Sequence, residues 1–319
     1  MQHDYLSVLI RQVRLECSGV VSIELEASDG APLPGYAAGA HVNVRIPGGP
    51  LRSYSLIDPA GGRGTWRIAV KHEPASRGGS RWFHDVARVG MLLEAAPPEN
   101  DFALVPAAPL SVFVAGGIGI TPLLSMIGTL AETGRPWELH YAAASSASMP
   151  FQNLLGHHAA RGDGRVLKHF SDAGHGRLDL RAIVASTPDD AHLYCCGPAG
   201  MIDDFLVATA DRDPETVHHE RFAASQVAVT DGGFSLQLAR DGRLLEVPAG
   251  KSILDVLLDA GVDVPYSCSQ GVCGTCRLVV LDGEPEHRDD FLTDEEKAAN
   301  DAVIACCSGS RSQCLVVDL

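Results

Sequence analysis

The sequence predicts a multidomain chain built from three successive folds. These are an antiparallel β-barrel over residues 1–104, a doubly wound α/β domain over 105–225 and a small α+β domain over 226–319. Three observations lead there. At 319 residues the chain exceeds one ordinary hydrophobic core. Its first third consists of short alternating runs broken by proline and glycine, whereas from Leu110 strand-like and helix-like stretches alternate. The small, polar stretch Ala223–Gly232 then reads as a linker to a last domain that opens on a hairpin pattern.

In the first domain Val8–Leu15, Val20–Leu25 and Trp66–Lys71 alternate apolar with polar residues, and Pro32, Pro34, Gly35 and the run Pro47-Gly48-Gly49-Pro50 punctuate them. That is the pattern of a small barrel. Arg52-Ser53-Tyr54-Ser55-Leu56 lies on one of its strands, where an arginine and a tyrosine on one face serve either as a surface pair or as ligand contacts. Ser76-Arg77-Gly78-Gly79-Ser80-Arg81-Trp82-Phe83 favours the second role, because glycine amides and a hydroxyl before an expected helix make a phosphate-binding nest.

In the second domain Ser111–Ala115 reads as a buried strand and Gly116-Gly117-Ile118-Gly119-Ile120-Thr121-Pro122 as a turn. Leu123–Leu130 begins a helix, with Pro122 in its first turn. Strands over Glu138–Ala142, Arg165–Phe170 and His192–Cys196, with a helix around Pro150–Arg161, complete an open sheet. The glycine turn is not the usual dinucleotide fingerprint. Its partner, Cys196-Gly197-Pro198-Ala199-Gly200-Met201, also follows a strand and opens a helix, and paired strand ends at the carboxyl edge are where such sheets bind ligands. Glycines that only permit tight packing are the alternative.

In the third domain Phe234–Leu238 and Arg243–Val247 predict a hairpin around a two-residue Asp241-Gly242 turn. Ser252 is a helix cap, and Leu315–Leu319 is a final strand. Between them lie Cys268, Cys273 and Cys276, with Cys306 after twenty-nine intervening residues. A C-x4-C-x2-C loop with a distant fourth cysteine is the plant-type arrangement for a two-iron, two-sulfur centre, and Gly271 and Gly274 permit close amide approach to its sulfurs. Zinc would call for paired C-x-x-C knuckles, and only Cys273 and Cys276 form one. Cys17, Cys195 and Cys314 read as core residues. The adjacent pairs His157-His158 and His218-His219 read as non-metal, because neighbouring side chains diverge.

Composition bounds the function. Hydrophobic content of 45% and charged content of 20% suit a soluble globular chain, and no apolar run reaches membrane-spanning length. Met1–Glu16 lacks the uninterrupted apolar core of a signal peptide, so nine cysteines are expected in the reducing cytoplasm as thiols or metal ligands. A net charge of −15 argues against nucleic acid. From Gln226 to Leu319 there are 16 Asp and Glu against 7 Lys and Arg, which suits either a solvated acidic surface or docking onto a basic protein partner.

Taken together, the Arg-x-Tyr-Ser-Leu strand, the Arg-Gly-Gly-Ser loop, Gly-Gly-Ile-Gly-Ile-Thr-Pro, Cys-Gly-Pro and the C-terminal cysteine loop resemble, in order and end to end, the phthalate dioxygenase reductase type of flavin and iron–sulfur oxidoreductase. That family includes vanillate demethylase reductase components. The resemblance implies an FMN-binding barrel, an NAD-binding α/β domain and a ferredoxin-like β-grasp iron–sulfur domain. It implies that Arg52, Tyr54, Ser55, Gly78, Gly79 and Ser80 hold FMN, that Thr121 lies near the flavin ring and that Phe222 covers its face. Gly117, Gly119, Cys196, Gly197 and Pro198 would line the NAD site, and Ser55, Thr121, Cys196 and Phe222 would surround the reacting atoms. Cys268, Cys273, Cys276 and Cys306 would carry the 2Fe-2S cluster.

Two departures from the family pattern bear on this. Tyr141-Ala142-Ala143-Ala144-Ser145 lacks an arginine often found there, which favours NADH over NADPH because a 2′-phosphate needs a cationic partner. Where relatives often read Cys-x-Ser-Arg, Cys306 and Cys307 are followed by Ser308-Gly309-Ser310-Arg311; spacing selects Cys306 as the ligand, with Cys307 the alternative.

A nicotinamide yields two electrons together and the cluster accepts one at a time, so the three domains imply the order NADH, FMN, cluster, protein partner. The expected function is an NADH-dependent reductase component serving a terminal oxygenase with a Rieske centre, with no nucleic acid or membrane partner. A reductase for a cytochrome P450, or a low-turnover redox-sensing carrier, are the alternatives.

Overall fold

The computed structural model describes residues 5–48, 51–58, 64–74, 78–172, 178–222 and 231–319. Ser76 and Arg77 of the glycine loop, and Ala223–Thr230 of the expected linker, lie outside the described residues. The chain divides into two compact units, one ending at Arg221 and the other running from Phe222 to Leu319.

The first unit starts with strands β1 (Leu6–Cys17), β2 (Val20–Ala27), β3 (His41–Arg45), β4 (Leu51–Ser55) and β5 (Thr65–Lys71). Helix α1 (Gly79–Asp85) and strand β6 (Leu92–Ala95) follow. The six strands pair in the order β4-β3-β6-β1-β2-β5, all antiparallel, and a bridge between Leu56 and Ile68 joins the two edges and closes the barrel. Its interior is filled by the alternating residues Val8, Ile10, Ile23, Leu25, Val42 and Val44, with Trp66 fully buried. Closure leaves few exposed ladder groups and fixes which strand faces point in.

The same unit continues with β7 (Ser111–Gly116), α2 (Ile120–Glu132), β8 (Trp137–Ala143), α3 (Gln152–Ala159) and β9 (Gly164–Phe170). After these come α4 (Leu180–Ser186), β10 (His192–Cys196), α5 (Ala199–Ala208) and β11 (Val217–Glu220). The strands form a parallel sheet in the order β11-β10-β7-β8-β9. Phe113 and Ala115 face α2, whereas Val112 and Val114 pack with Ile183 of α4 and with Ile202 and Phe205 of α5. Helices therefore cover both faces, which is why β7 is buried throughout. Val20, Ala38, Ile57 and Ala69 of the barrel join the cluster that contains Leu123 and Leu124 of α2. Barrel and sheet thus share apolar packing within one unit.

The second unit contains β12 (Phe234–Leu238), β13 (Leu244–Val247), α6 (Ile253–Asp259), β14 (Arg277–Asp282) and β15 (Pro285–Glu286). Then follow α7 (Asp294–Ala299), β16 (Ala302–Ile304), β17 (Gly309–Ser310) and β18 (Cys314–Val317). A mixed sheet ordered β13-β12-β18-β14-β16 packs against α6. Ser252 caps α6 in a capping box, its hydroxyl accepting the Asp255 N–H at 3.1 Å while the Asp255 side chain accepts the Ser252 N–H at 2.9 Å.

Three local expectations need correction. The hairpin does not turn on Asp241-Gly242 alone: Gly242 N–H donates to the Leu238 carbonyl and Leu238 N–H to the Arg243 carbonyl, both at 2.9 Å, so residues 239–242 form the loop. Gly242, at φ 75°, supplies the left-handed step that lets the longer loop close. Gly79 and Ser80 do not precede a helix but form the first turn of α1. Helix α2 begins at Ile120 rather than Leu123, because the chain leaves β7 through a single 3-10 turn, Gly117–Gly119, that winds straight into it.

Candidate functional site

The site on the barrel is built where β4 meets the start of α1. Tyr54 packs edge-on against Phe83 at 5.3 Å. A side chain on Gly79 would lie 3.0 Å from Arg52 Cγ and 3.4 Å from the Tyr54 hydroxyl, so Gly79 lets the start of α1 settle on both residues. Gly78, at φ 113°, makes the preceding bend. Ser80 Oγ accepts the Glu73 N–H at 3.1 Å, which leaves its proton for another acceptor. Arg52, Tyr54, Gly78, Gly79 and Ser80 therefore come together as one polar cradle containing a guanidinium, two hydroxyls and a helix start. That donor set fits a phosphate. Burial pushes the Tyr54 phenol well above its ordinary range, so it stays protonated and able to donate.

Ser55 ends β4 and pairs across the sheet with His41. Thr121 is buried in the first turn of α2, where its hydroxyl donates to the Ile118 carbonyl at 2.9 Å.

The nucleotide side is a junction of two strand ends. A Cβ on Gly119 would lie 2.2 Å from the Cys196 carbonyl oxygen and 2.7 Å from Gly197 N, and one on Gly116 would lie 2.5 Å from Pro198 Cδ. The glycines thus bring the ends of the adjacent strands β7 and β10 into backbone contact. Gly117, at φ 54°, has open space where a side chain would point, and its carbonyl accepts the Tyr141 hydroxyl at 2.9 Å. Cys196 is fully buried, and burial holds its thiol well above the usual range. A thiol so held carries little of the thiolate that a nucleophile needs.

Two residues near this edge carry no motif. Glu220 ends β11, directly across the sheet from Cys196, and its Oε2 atom is buried with no hydrogen-bond partner among the described residues. Burial pushes this carboxyl up to about 7, opposed by the charge of His41 and reinforced by Asp101. His41 is held up in turn: burial lowers it, but its hydrogen bond to Glu99 and the nearby Glu220 and Asp101 charges outweigh that. A half-buried Glu with an enclosed carboxylate oxygen and a buried His beside Cys196 and Ser55 are visible only once three strands are assembled. No sequence spacing announces them.

Phe222 is 37% exposed and opens the second unit. Of the histidine pairs, His218 stacks on Tyr194 at 4.5 Å and lies 2.9 Å from His192, while His158 is buried and His157 exposed.

In the second unit the four cysteines converge in twos. The Cys268 and Cys273 thiols lie against each other, as do those of Cys276 and Cys306, with Cys307 also beside Cys306. The shared proton draws Cys273 down to about 5, and together with burial it pushes Cys268 up. In the other pair the bond to Cys276 lowers Cys306, but Cys307 and burial outweigh it and raise that thiol to about 12. The Gln270 N–H donates to the Cys268 sulfur at 3.3 Å, and the amides of Val272, Thr275 and Gly271 lie near Cys268, Cys273 and Cys306 and lower those thiols. Cys307 lies beside Cys306, and its thiol approaches the Ile304 carbonyl at 3.8 Å. Among the described residues no three His, Cys, Asp or Glu side chains converge as the ligands of a single ion. Two thiol pairs ringed by amides instead suit a centre of two irons, each with two cysteine ligands.

Comparison with known proteins agrees with this geometry. Residues 236–310 match a 2Fe-2S iron-sulfur cluster binding domain and residues 113–206 an oxidoreductase NAD-binding domain. The chain is 48% identical to phenoxybenzoate dioxygenase subunit beta of Ectopseudomonas oleovorans over 98% of its own length and 97% of that protein. It is 44% identical to tetrachlorobenzoquinone reductase of Sphingobium chlorophenolicum over 98% of each. The solved structure of phthalate dioxygenase reductase superposes with a TM-score of 0.88 at 36% identity, covering 99% of this chain and 98% of that one. The chain belongs to the phthalate dioxygenase reductase family, oxidoreductases with flavin, NAD and 2Fe-2S modules that serve as the reductase components of oxygenase systems.

Proposed function

We propose that this protein takes electrons from NADH and delivers them singly, in the cytoplasm, to an oxygenase component that carries a Rieske centre. The observation that carries the reading is the pairing of the four thiols in twos, in a chain that also has a phosphate cradle and a glycine-lined nucleotide edge. Bound FMN supplies the exchange between a two-electron hydride donor and a one-electron acceptor, and the 2Fe-2S centre supplies one-electron storage and exit.

The chain's own residues orient and insulate. Arg52, Tyr54, Gly78, Gly79 and Ser80 bind the flavin phosphate, and Ser55 and Thr121 border its ring. Gly117, Gly119, Cys196, Gly197 and Pro198 seat the nicotinamide dinucleotide, where the bare Gly117 leaves room for backbone approach. Cys268, Cys273, Cys276 and Cys306 ligate the cluster. The absence of arginine in Tyr141–Ser145 favours NADH. The acidic composition of residues 226–319 supports docking onto a basic partner surface, which would weaken as salt is raised. In keeping with an electron carrier that works in solution, no helix among the described residues is long and apolar enough to cross a membrane.

Electron counting tests the reading. Anaerobic titration of the purified protein should consume about 1.5 NADH per chain, since two electrons fill the flavin and one the cluster. An end point near one NADH, or no flavin absorbance, would refute it. The likeness to tetrachlorobenzoquinone reductase supports a second reading, direct reduction of a quinone at the flavin. Quinone reduction at full rate without a cluster would favour that one.

A further inference from the structure

Gly271 is the residue at which the two parts of the cysteine site meet. Its N–H lies close enough to the Cys306 sulfur to lower that thiol, linking the three-cysteine loop to the thiol that arrives from another strand end. Its carbonyl accepts the Asp290 N–H at 3.0 Å. What fixes Asp290 is its neighbour. Asp289 has no solvent exposure, and its Oδ2 accepts the backbone N–H of Leu292 at 2.8 Å and of Phe291 at 3.2 Å. Its Oδ1 accepts the Ser308 hydroxyl at 3.4 Å and lies 3.8 Å from His287 Nδ1, and its carbonyl accepts Lys297 Nζ at 2.7 Å. Ser308, itself buried two residues beyond Cys306, accepts the Arg288 N–H at 3.2 Å.

The segment 287–292 is therefore tied at one end to the turn after β16 that bears the fourth thiol and at the other to the peptide that crosses to it. A carboxylate without solvent contact is a costly way to make a turn, and is expected where its hydrogen bonds hold something in place. Phe291 seals the same region: a Cβ on Gly274 would lie 2.2 Å from its ring.

We propose that Asp289 is a positioning residue for the iron–sulfur centre: by bracketing residues 287–292 onto Ser308 it keeps the Gly271 N–H on the Cys306 sulfur. The proposal rests on the assignment of Cys268, Cys273, Cys276 and Cys306 as cluster ligands. Hydrogen bonds to the sulfurs stabilise the more negative, reduced centre and so raise its reduction potential. A nearby negative charge acts the other way, so the two effects of Asp289 must be separated.

Asp289→Asn and Asp289→Ala separate them in the intact protein, because both remove the charge while Asn keeps a carbonyl to accept the Phe291 and Leu292 N–H groups. The readout is the cluster midpoint potential from an EPR-monitored redox titration. The Ala variant should poise at least tenfold in equilibrium constant below the Asn variant, about 59 mV for one electron. Ser308→Ala, which keeps both charge and turn, should lower the potential by less. The flavin potential should stay at the wild-type value in all three.

Equal cluster potentials in the Ala and Asn variants would overturn the proposal. If the Ala variant does not fold, an unchanged potential in Ser308→Ala overturns it instead. A wild-type protein purified anaerobically without a cluster would overturn the ligand assignment as well, which distinguishes that failure from this one.

Discussion

Replacing Gly119 by alanine tests the nucleotide edge most severely. Its backbone is ordinary, so the cost is steric: the new methyl would lie 2.2 Å from the Cys196 carbonyl oxygen and 2.5 Å from its carbon. Carbon and oxygen rest beyond about 3.3 Å, so the ends of β7 and β10 must part by roughly 1 Å. Neither is a flexible side-chain tip. Overpacking of this kind costs about 1–3 kcal/mol, equivalent to a melting shift of roughly 2–12 °C in a domain of this size. The displaced Cys196-Gly197-Pro198 segment is the proposed nicotinamide seat, so NADH affinity should fall about 5- to 100-fold. Gly134→Ala, beyond the end of α2 and outside the proposed seat, is the control, since its methyl would meet nothing within 4 Å and its left-handed backbone costs about 1 kcal/mol. Calorimetry and NADH titration of the flavin spectrum check both. A Gly119→Ala protein with wild-type melting and NADH affinity would refute the strand-end contact.

Two further outcomes follow from the same geometry. Arg52→Ala should weaken flavin retention about 10- to 100-fold, the value of a charge-assisted phosphate contact of about 1.5–3 kcal/mol; flavin fluorescence released on dilution measures it, and unaltered retention would count against the cradle. Glu220 has its folded pKa raised from 4.5 to about 7, so the native state binds its proton more tightly than the unfolded chain. Its contribution is present in full below pH 4.5 and is lost as pH rises through 7, a difference on the order of 3 kcal/mol. Glu220→Gln should therefore remove that part of the pH dependence and be the more stable protein at pH 8; urea melts at pH 5 and 8 decide it, with identical pH profiles contradicting the assigned burial.

What could be read directly from the residues was whatever is local or periodic. Strand alternation gave the barrel, the strand–glycine–helix order gave the doubly wound sheet, and cysteine spacing gave the metal loop. Spacing also selects Cys306 over Cys307; in the structure Cys276 lies against Cys306, and Cys307 lies beside Cys306 and near the Ile304 carbonyl. The features that escaped depend on long-range contact. Glu220 reads as an ordinary charged residue after two histidines, and only strand pairing puts it opposite Cys196 and within reach of the His41 charge. Asp289 sits in an acidic stretch that reads as surface, yet it is buried. The hairpin misled because Asp-Gly is a two-residue turn signal, while the hydrogen bonds place Gly242 at the end of a longer loop. The barrel and the sheet read as separate cores, because apolar residues such as Ile57 and Ala69 do not announce which neighbour they face.

The central claim is that the paired thiols form the exit of an electron path that begins at the nucleotide edge. Cys273→Ser tests it most directly, since it removes one ligand from a unit distinct from the one that holds the flavin cradle and the glycine edge. In anaerobic stopped flow with NADH, the variant should reduce its flavin at the wild-type rate yet pass no electrons to the oxygenase partner. Undiminished delivery to that partner, or loss of flavin reduction in a variant whose first unit is still folded, would contradict the path.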